Sequence, residues 1–466
     1  MDKKLFLFTL LITIFWNGFA ADDQQSPLLR AGDRVNFIGN SITHGGHYNN
    51  YITRYYLTRY PSMKVDFFNL GIAGDTADGL IRRMDSDILA NGPTVAILMI
   101  GMNDAGMTLY ADTCMLSSWE KAAEIIRRYE NYKTNIDRVL KELRPAVREL
   151  VVFTPSIYDQ TVCNETMNFK GTNDALYTFG EYLKRTVPAY DARIVDMWRE
   201  TNDVNRAMQL DDPTRTVISS DRVHPLQLGG YVMAYRFLQD VGESAYVSDV
   251  RIDGRKNVIL KSYNAEVPRL VRKNGVIEFD VLEKALPYPM DSLIADANRY
   301  IHFNEELNRE MLTINSLPEG EYLLTIDSIP VGRYSSEELH AGVNLALNTV
   351  TPQYKQATQV AARCAAFWQQ YNDYRLLAMV DYLLLQDLSE TASAEERVRA
   401  AQTRRDADPE SWLAGIYDYY IMNKLRQAEL YARLRDLGNS LYDLNQPATH
   451  RYQLILCSKQ TAKVRK

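Results

Sequence analysis

The chain has 466 residues, enough for two or three domains at roughly 100–200 residues each. Hydrophobic residues make up 46% and charged residues 24%, an ordinary globular composition that excludes a disordered or fibrous chain. A formal net charge of −6 leaves no polycationic surface to neutralise phosphates, so nucleic acid is not expected as a partner.

The first residues, Met1 to Lys4, carry positive charge, Leu5 to Trp16 is apolar, and Gly18-Phe19-Ala20 is a small-x-small site. This pattern predicts a secretory signal peptide over 1–20, cleaved after Ala20, and an exported chain, periplasmic or secreted. The apolar run is short of the ~20 residues that span a bilayer. No later segment is long and apolar enough, so no membrane span is expected.

From Asp33 short apolar runs alternate with amphipathic stretches. Arg34–Ile38, Val65–Leu70, Thr94–Ile100, Leu150–Thr154 and Arg193–Val195 read as strands. Tyr48–Tyr60, Thr76–Ala90, Trp119–Leu143, Asn173–Arg185 and Leu226–Asp240 read as helices between and after them. Such alternation predicts right-handed βαβ units and a parallel sheet, with ligands beyond the carboxyl ends of the strands. After about Glu243 the pattern changes. Tyr246–Leu286 alternates, with Asp253-Gly254 and Asn274-Gly275 as turns, and reads as β-hairpins; Tyr322–Asp327 is a further strand. From Thr351 the chain reads as mainly helical, over 359–386, 395–405 and 409–444. The expected units are an α/β domain over 30–242, a β-rich accessory region over 243–350 and a mainly helical region over 351–466. With no linker between them, they are expected to pack together.

The thirty tyrosines fit either a sugar-binding surface or a tyrosine-rich core. The cysteines, Cys114, Cys163, Cys364 and Cys457, are too widely spaced for a metal motif, and free thiols or bridges both fit. Were one bridge to form, Cys114–Cys163 is the expected pair, because both lie in one domain.

Four polar constellations fall in loops of the α/β domain. Gly39-Asn40-Ser41-Ile42-Thr43 follows the first strand, where a serine lies near backbone N–H groups. Gly71-Ile-Ala-Gly74-Asp75-Thr76 follows the second; glycine allows close approach of a backbone N–H to a ligand, and a plain turn is the alternative. Gly101-Met102-Asn103-Asp104 follows the third, and its asparagine amide can donate to an oxyanion. Asp221-Arg222-Val223-His224-Pro225 precedes the last helix. Of the six histidines, His224 alone has an aspartate three residues before it, which can fix its tautomer.

In this order the blocks resemble the SGNH (GDSL) hydrolases, over roughly residues 30–242. Asn69-Leu-Gly-Ile-Ala-Gly-Asp-Thr76 and the glycine of His224-Pro-x-x-x-Gly229 extend the likeness. The resemblance implies a flavodoxin-like α/β/α sandwich with a parallel sheet, ester hydrolysis, and neither cofactor nor metal. Carried over by position, Ser41 is the nucleophile, His224 the general base and then acid, and Asp221 orients His224. The oxyanion hole is the N–H of Ser41, the N–H of Gly74 and the side-chain amide of Asn103. One departure is Asn40, where the family often has aspartate; an amide keeps the turn's hydrogen bonding and changes the local charge. The pair His44 and His47 lacks neighbouring carboxylates or thiolates for a metal, so substrate contact or helix-entry packing fits it better.

The loops around the serine are polar and aromatic (His44, His47, Tyr48, Asn49, Asn50, Tyr51, Tyr158, Arg222), groups that stack on and hydrogen-bond sugars. His44 and Arg222 are the expected substrate contacts. Glu338-Leu-His-Ala-Gly-Val-Asn-Leu-Ala346 and Thr351-Pro352 make the layout similar to exported SGNH proteins of polysaccharide-degrading bacteria. That resemblance implies an acylated glycan as substrate and removal of O-acetyl groups. A methyl esterase on uronic-acid glycans, a lipase-like acylhydrolase and an inactive glycan-binding protein are the alternatives. No sequence feature points to an oligomeric state.

Overall fold

The structure, a computed structural model, describes residues 26–389 and 391–458; the expected signal peptide lies outside them. Five parallel strands form the first sheet: β1 (Arg34–Gly39), β2 (Asp66–Gly71), β3 (Val95–Met99), β4 (Glu149–Phe153) and β5 (Arg193–Val195), in the order β2-β1-β3-β4-β5. This is the flavodoxin-like order, in which the strand order reverses between β1 and β3. Every residue of β3 is buried, as an apolar run between two helical layers requires. The helices are α1 (Ser41–His44), α2 (His47–Arg59), α3 (Ala77–Arg82), α4 (Ser118–Leu143), α5 (Thr172–Thr186), α6 (Met197–Asp211) and α7 (Leu226–Asp240). The helix expected over 76–90 is divided: α3 stops at Arg82 and a π-helical turn runs from Met84 to Leu89. At the break sits Arg83, wholly buried and aimed at the strand ends.

The remaining chain builds two more sheets. β6 (Tyr246–Asp253), β7 (Val258–Tyr263), β8 (Ala265–Lys273) and β9 (Val276–Glu283) are followed by short helices α8 (Ser292–Ala295) and α9 (Phe303–Leu307). Then come β10 (Arg309–Asn315), β11 (Glu321–Ile326), β12 (Ile329–Ser335), α10 (Ser336–Ala341) and β13 (Val343–Asn344). The helical part is α11 (Pro352–Met379), a π-helical turn over Val380–Leu384, α12 (Ala394–Ala407), α13 (Ala414–Asn423) and α14 (Gln427–Asn439). The chain returns as β14 (Thr449–Ser458), the middle strand of the sheet β12-β11-β14-β9-β8, while β13-β10-β6-β7 is the other. The expected division at 351 is therefore not clean: the last described strand belongs with the β-rich part.

One core joins the α/β domain to the rest. Leu286, Tyr288 and Phe303, and then Cys364, Phe367, Trp368 and Tyr371 of α11, pack in the same buried cluster as the strands of the first sheet. The tyrosines are largely core material. Tyr48, Tyr51, Tyr55 and Tyr56 of α2 are buried, and the hydroxyls of Tyr56 and Tyr60 donate to the buried Glu243 carboxylate at 2.5 and 2.6 Å. All four cysteines are free thiols, so the conditional Cys114–Cys163 bridge is not formed. Among the described residues no helix is long and apolar enough to cross a membrane.

Candidate active site

Strand register brings the first three loops together. Gly39 lies opposite both Gly71 and Met99, so β1, β2 and β3 end level and their loops emerge side by side. Ser41 opens α1 directly after β1. Asn40 caps that helix, its Oδ1 accepting the Ile42 N–H at 3.1 Å, an acceptor's task that needs no carboxylate. A Cβ on Gly71 would overlap the backbone of His44, so only glycine lets the end of β2 lie against the serine-bearing turn.

The histidine comes from the turn before α7, a helix that packs against α2. His224 Nε2 lies 2.9 Å from Ser41 Oγ, and His224 Nδ1 lies 2.7 Å from Asp221 Oδ2. Partial burial pushes the Asp221 carboxyl upward. Hydrogen bonds from the His224 ring, the Ser219 hydroxyl and the N–H groups of His224 and Val223 outweigh it and hold the group well below the usual carboxylate range. An ionised Asp221 is acceptor only, so Nδ1 donates to it and Nε2 is left to take the Ser41 proton. The pair is open to solvent: the His224 side chain is 36% exposed and that of Asp221 50%.

On the far side of Ser41, Gly74 has φ +88°, a left-handed conformation that favours glycine. Asn103 Nδ2 donates to the Asp75 carbonyl at 2.8 Å, which holds the amide against the Asp75–Thr76 peptide, one residue past Gly74, and leaves its second N–H free. Among the described residues no backbone carbonyl accepts from the N–H of Ser41 or of Gly74. Three donors are thus available to a developing negative charge. The neighbouring Asp104 is buried and pushed up to about 7 by desolvation; its Oδ1 accepts the Ala77 N–H at 3.0 Å.

Behind these donors lies a buried charge network. Arg83 Nε donates to Asp75 at 2.9 Å, Nη1 to Asp87 at 2.5 Å, and Nη2 to the Leu70 carbonyl at 2.8 Å. Arg375 of α11 grips Asp87 with two bonds of 2.9 and 2.8 Å and donates to the Gly71 carbonyl at 3.2 Å. Burial alone would push Asp87 up, but Arg375 and Arg83 outweigh it and pull it down.

Two expected substrate contacts turn out otherwise. His44 is buried; Nδ1 accepts the Ala73 N–H at 3.1 Å and Nε2 faces the Asn372 carbonyl at 3.0 Å. Arg222 is also buried. Its guanidinium donates to the carbonyls of Asp159 and Val162 at 3.0 Å, Thr166 at 3.1 Å and Asn164 at 3.3 Å. Both side chains are short of polar atoms to offer a ligand. Tyr48, Asn49, Tyr51 and Tyr158 are buried as well, so among these loop residues only His47 and Asn50 keep partial exposure. His47 lines a cavity of about 60 Å³ with Ser41, Tyr48, His224 and Leu226. A larger crevice of about 690 Å³, between Asp87, Arg375 and α14, does not include Ser41, and in it Arg375 is paired with Asp87 and Lys424 with Asp381. Among the described residues no group of three His, Cys, Asp or Glu could hold a metal ion.

Sequence reasoning did not find Arg83, Arg375 or Asn372. One signal was available: Arg375 continues the apolar stripe Cys364, Trp368, Tyr371 at helical spacing, and a charge on an apolar stripe implies a buried partner.

Residues 37–230 match the GDSL-like lipase/acylhydrolase family. Over 227 residues the chain is 24% identical to an acetylxylan esterase of Geobacillus stearothermophilus, spanning 46% of this chain and 95% of that protein. A structure of that bacterium's acetylxylan esterase Axe2 is 24% identical, covers 46% of this chain and 95% of its own, and superposes with a TM-score of 0.38. The structure of BT4096, a gut microbial diltiazem-metabolizing enzyme, superposes with a TM-score of 0.84 at 28% identity, over 93% of this chain and 99% of that one.

Proposed function

Because residues 37–230 form a GDSL-like (SGNH) hydrolase domain, we propose that the protein is a serine ester hydrolase that removes O-acetyl groups from a polysaccharide or oligosaccharide. The observation that carries this reading is the Ser41–His224 contact of 2.9 Å, with the His224 edge open to solvent. In the reaction His224 Nε2 takes the Ser41 proton as Oγ attacks the ester carbonyl. The carbonyl oxygen becomes an oxyanion facing the N–H groups of Ser41 and Gly74 and the amide of Asn103. His224 then protonates the leaving alcohol, and an acetyl-serine remains. Water, deprotonated by His224, releases acetate and restores Ser41. The alcohol leaves on the His224 side, and the solvent exposure there suits a bulky sugar.

The acetyl-glycan choice is supported by the acetylxylan esterase relative, 24% identical over 227 residues. A second reading, action on a small drug-like molecule, is favoured by the full-length likeness to the diltiazem-metabolizing enzyme. The proposal includes export through residues 1–20; an N-terminus beginning at Ala21 in protein recovered outside the cytoplasm tests that part. The central test measures acetate and methanol released from acetylated and methyl-esterified polysaccharides, and turnover of diltiazem, with Ser41→Ala as control. Acetate released by wild type alone supports the reading. Methanol instead identifies a uronate methyl esterase, and turnover confined to diltiazem favours the second reading.

A further inference from the structure

One face of α11 and the turn after it follows the two active-site loops residue by residue. A Cβ on Gly46, just past α1, would stand 3.5 Å from Trp368 Cε3. Four residues on, the Asn372 carbonyl faces His44 Nε2 at 3.0 Å. Next, Arg375 Nε donates to the Gly71 carbonyl at 3.2 Å, and Met379 packs with Ile72. The helix then changes to π-type hydrogen bonding over Val380–Leu384. In that turn Leu383 Cδ2 lies 3.0 Å from where a Cβ on Gly74 would stand. Positions 368, 372, 375, 379 and 383 share one helical face, and they meet the chain in the order Gly46, His44, Gly71, Ile72, Gly74. Such π-turns within helices are frequent at functional sites.

From this placement we infer that Leu383 is a specificity-determining residue, the wall that limits the length of the acyl group. The inference rests on the ester-hydrolase reading above, and within it the geometry leaves the acyl group one side. The leaving oxygen must face His224 Nε2, which protonates it. The oxyanion takes the direction of the Ser41, Gly74 and Asn103 donors, so the acyl substituent takes the remaining one, away from His224 and beside the loop that carries Gly74. Leu383, half-buried, stands over that glycine. An acetyl methyl needs little room beside it, whereas each further methylene presses on the isobutyl group. One extra methylene in a restricted pocket is typically worth about 10–200-fold in kcat/KM.

The test uses the full chain and the 4-nitrophenyl esters of acetate, butyrate and hexanoate. Wild type should prefer acetate to butyrate by roughly 10-fold or more in kcat/KM. Leu383→Ala should raise the butyrate-to-acetate ratio by about 10-fold while acetate turnover stays within about 3-fold. Leu383→Phe should move the ratio the other way. Labelling of Ser41 by a fluorophosphonate and an unchanged circular dichroism spectrum establish that each variant is folded. A ratio unmoved in both folded variants overturns the inference, as does a folded Leu383→Ala that loses acetate turnover too. The two claims fail separately. Wild type that hydrolyses aryl acetates but no acetylated glycan sinks the glycan reading and leaves the Leu383 ratio fully readable. Wild type that hydrolyses no ester sinks both.

Discussion

His44 Nδ1 accepts the Ala73 N–H, so the turn that carries Ser41 and the loop that carries Gly74 are joined through one imidazole. The other nitrogen meets the Asn372 carbonyl and must donate to it. Only the neutral ring can accept at Nδ1 and donate at Nε2 together. Burial, reinforced by the positive charges of Arg375 and Arg83 against the bond to Asn372, pushes this histidine down from 6.5 to about 4. A residue expected to touch substrate is instead a fastening between the two halves of the catalytic loops and α11.

That fastening predicts an acid-labile fold. Between pH 6.5 and 4 the unfolded chain binds a proton at His44 and the folded chain does not, so folding stability rises with pH across this window. The contribution is full above 6.5 and is lost progressively as pH falls to about 4, reaching about 3 kcal/mol by linkage. Thermal unfolding of wild type and His44→Gln from pH 4 to 7.5 checks it: the difference between their melting temperatures should shrink on acidification. A difference constant with pH removes His44 from this role.

The proposed catalytic residues predict a graded series. Ser41→Ala and His224→Ala should each lower kcat by about 10⁴-fold or more with melting temperature nearly unchanged. Asn103→Ala should lose about 10²–10³-fold in kcat with little change in KM, as one oxyanion donor does. A loss confined to KM would make Asn103 a ground-state contact.

How much of this was legible in the sequence depends on distance along the chain. The parallel sheet follows from the alternation of apolar runs and amphipathic stretches, and Arg193–Val195 and Leu226–Asp240 have the expected bounds. α6 escaped because its buried face, Met197, Thr201, Val204, Asn205 and Met208, is partly polar. β14 shows the period-2 burial of His450, Tyr452 and Leu454, but it follows a long helical stretch and pairs with strands more than a hundred residues earlier. At the site, blocks of four or five residues announce themselves locally. The ties from Asn372, Arg375 and Leu383 span some three hundred residues of chain, and no local pattern carries them.

A second titration lies far from Ser41. Glu283 and Glu310 are both buried where β9, β10, β14 and α11 meet; Gln353 donates to Glu310 Oε1 at 2.9 Å and Tyr452 to Glu283 Oε1 at 3.1 Å. Desolvation first, and then the charge of Glu283, pushes Glu310 up. A carboxyl raised in the folded state stabilises fully below its unfolded value near 4.5, and that contribution is lost as pH rises. Glu310→Gln should therefore raise the melting temperature at pH 8 and change it little at pH 5. A lower melting temperature at both would show that the carboxylate itself is needed.

Arg222 gives the sharpest prediction about the catalytic turn. Its φ of +68° is left-handed, a conformation that costs an L-residue roughly 1–2 kcal/mol. The strain is offset by the carbonyls of Asp159, Val162, Asn164 and Thr166, all taken by one guanidinium between Asp221 and His224. Removing the side chain should leave those carbonyls short of donors and loosen the turn that aims His224 at Ser41. Arg222→Gly loses the bonds but also the strain; Arg222→Ala loses the bonds and keeps the strain, so it should be less stable by about 1 kcal/mol. Arg222→Lys keeps the charge but cannot fork to several carbonyls, and it should fall nearer to Ala than to wild type. In all three kcat should drop about 10-fold or more, since a misplaced base costs rate even when substrate binds. Denaturant unfolding paired with kcat on an aryl acetate decides the matter. Equal stability of the Gly and Ala variants would show that the backbone strain carries no weight. Full kcat in a destabilised variant would separate the clamp from catalysis.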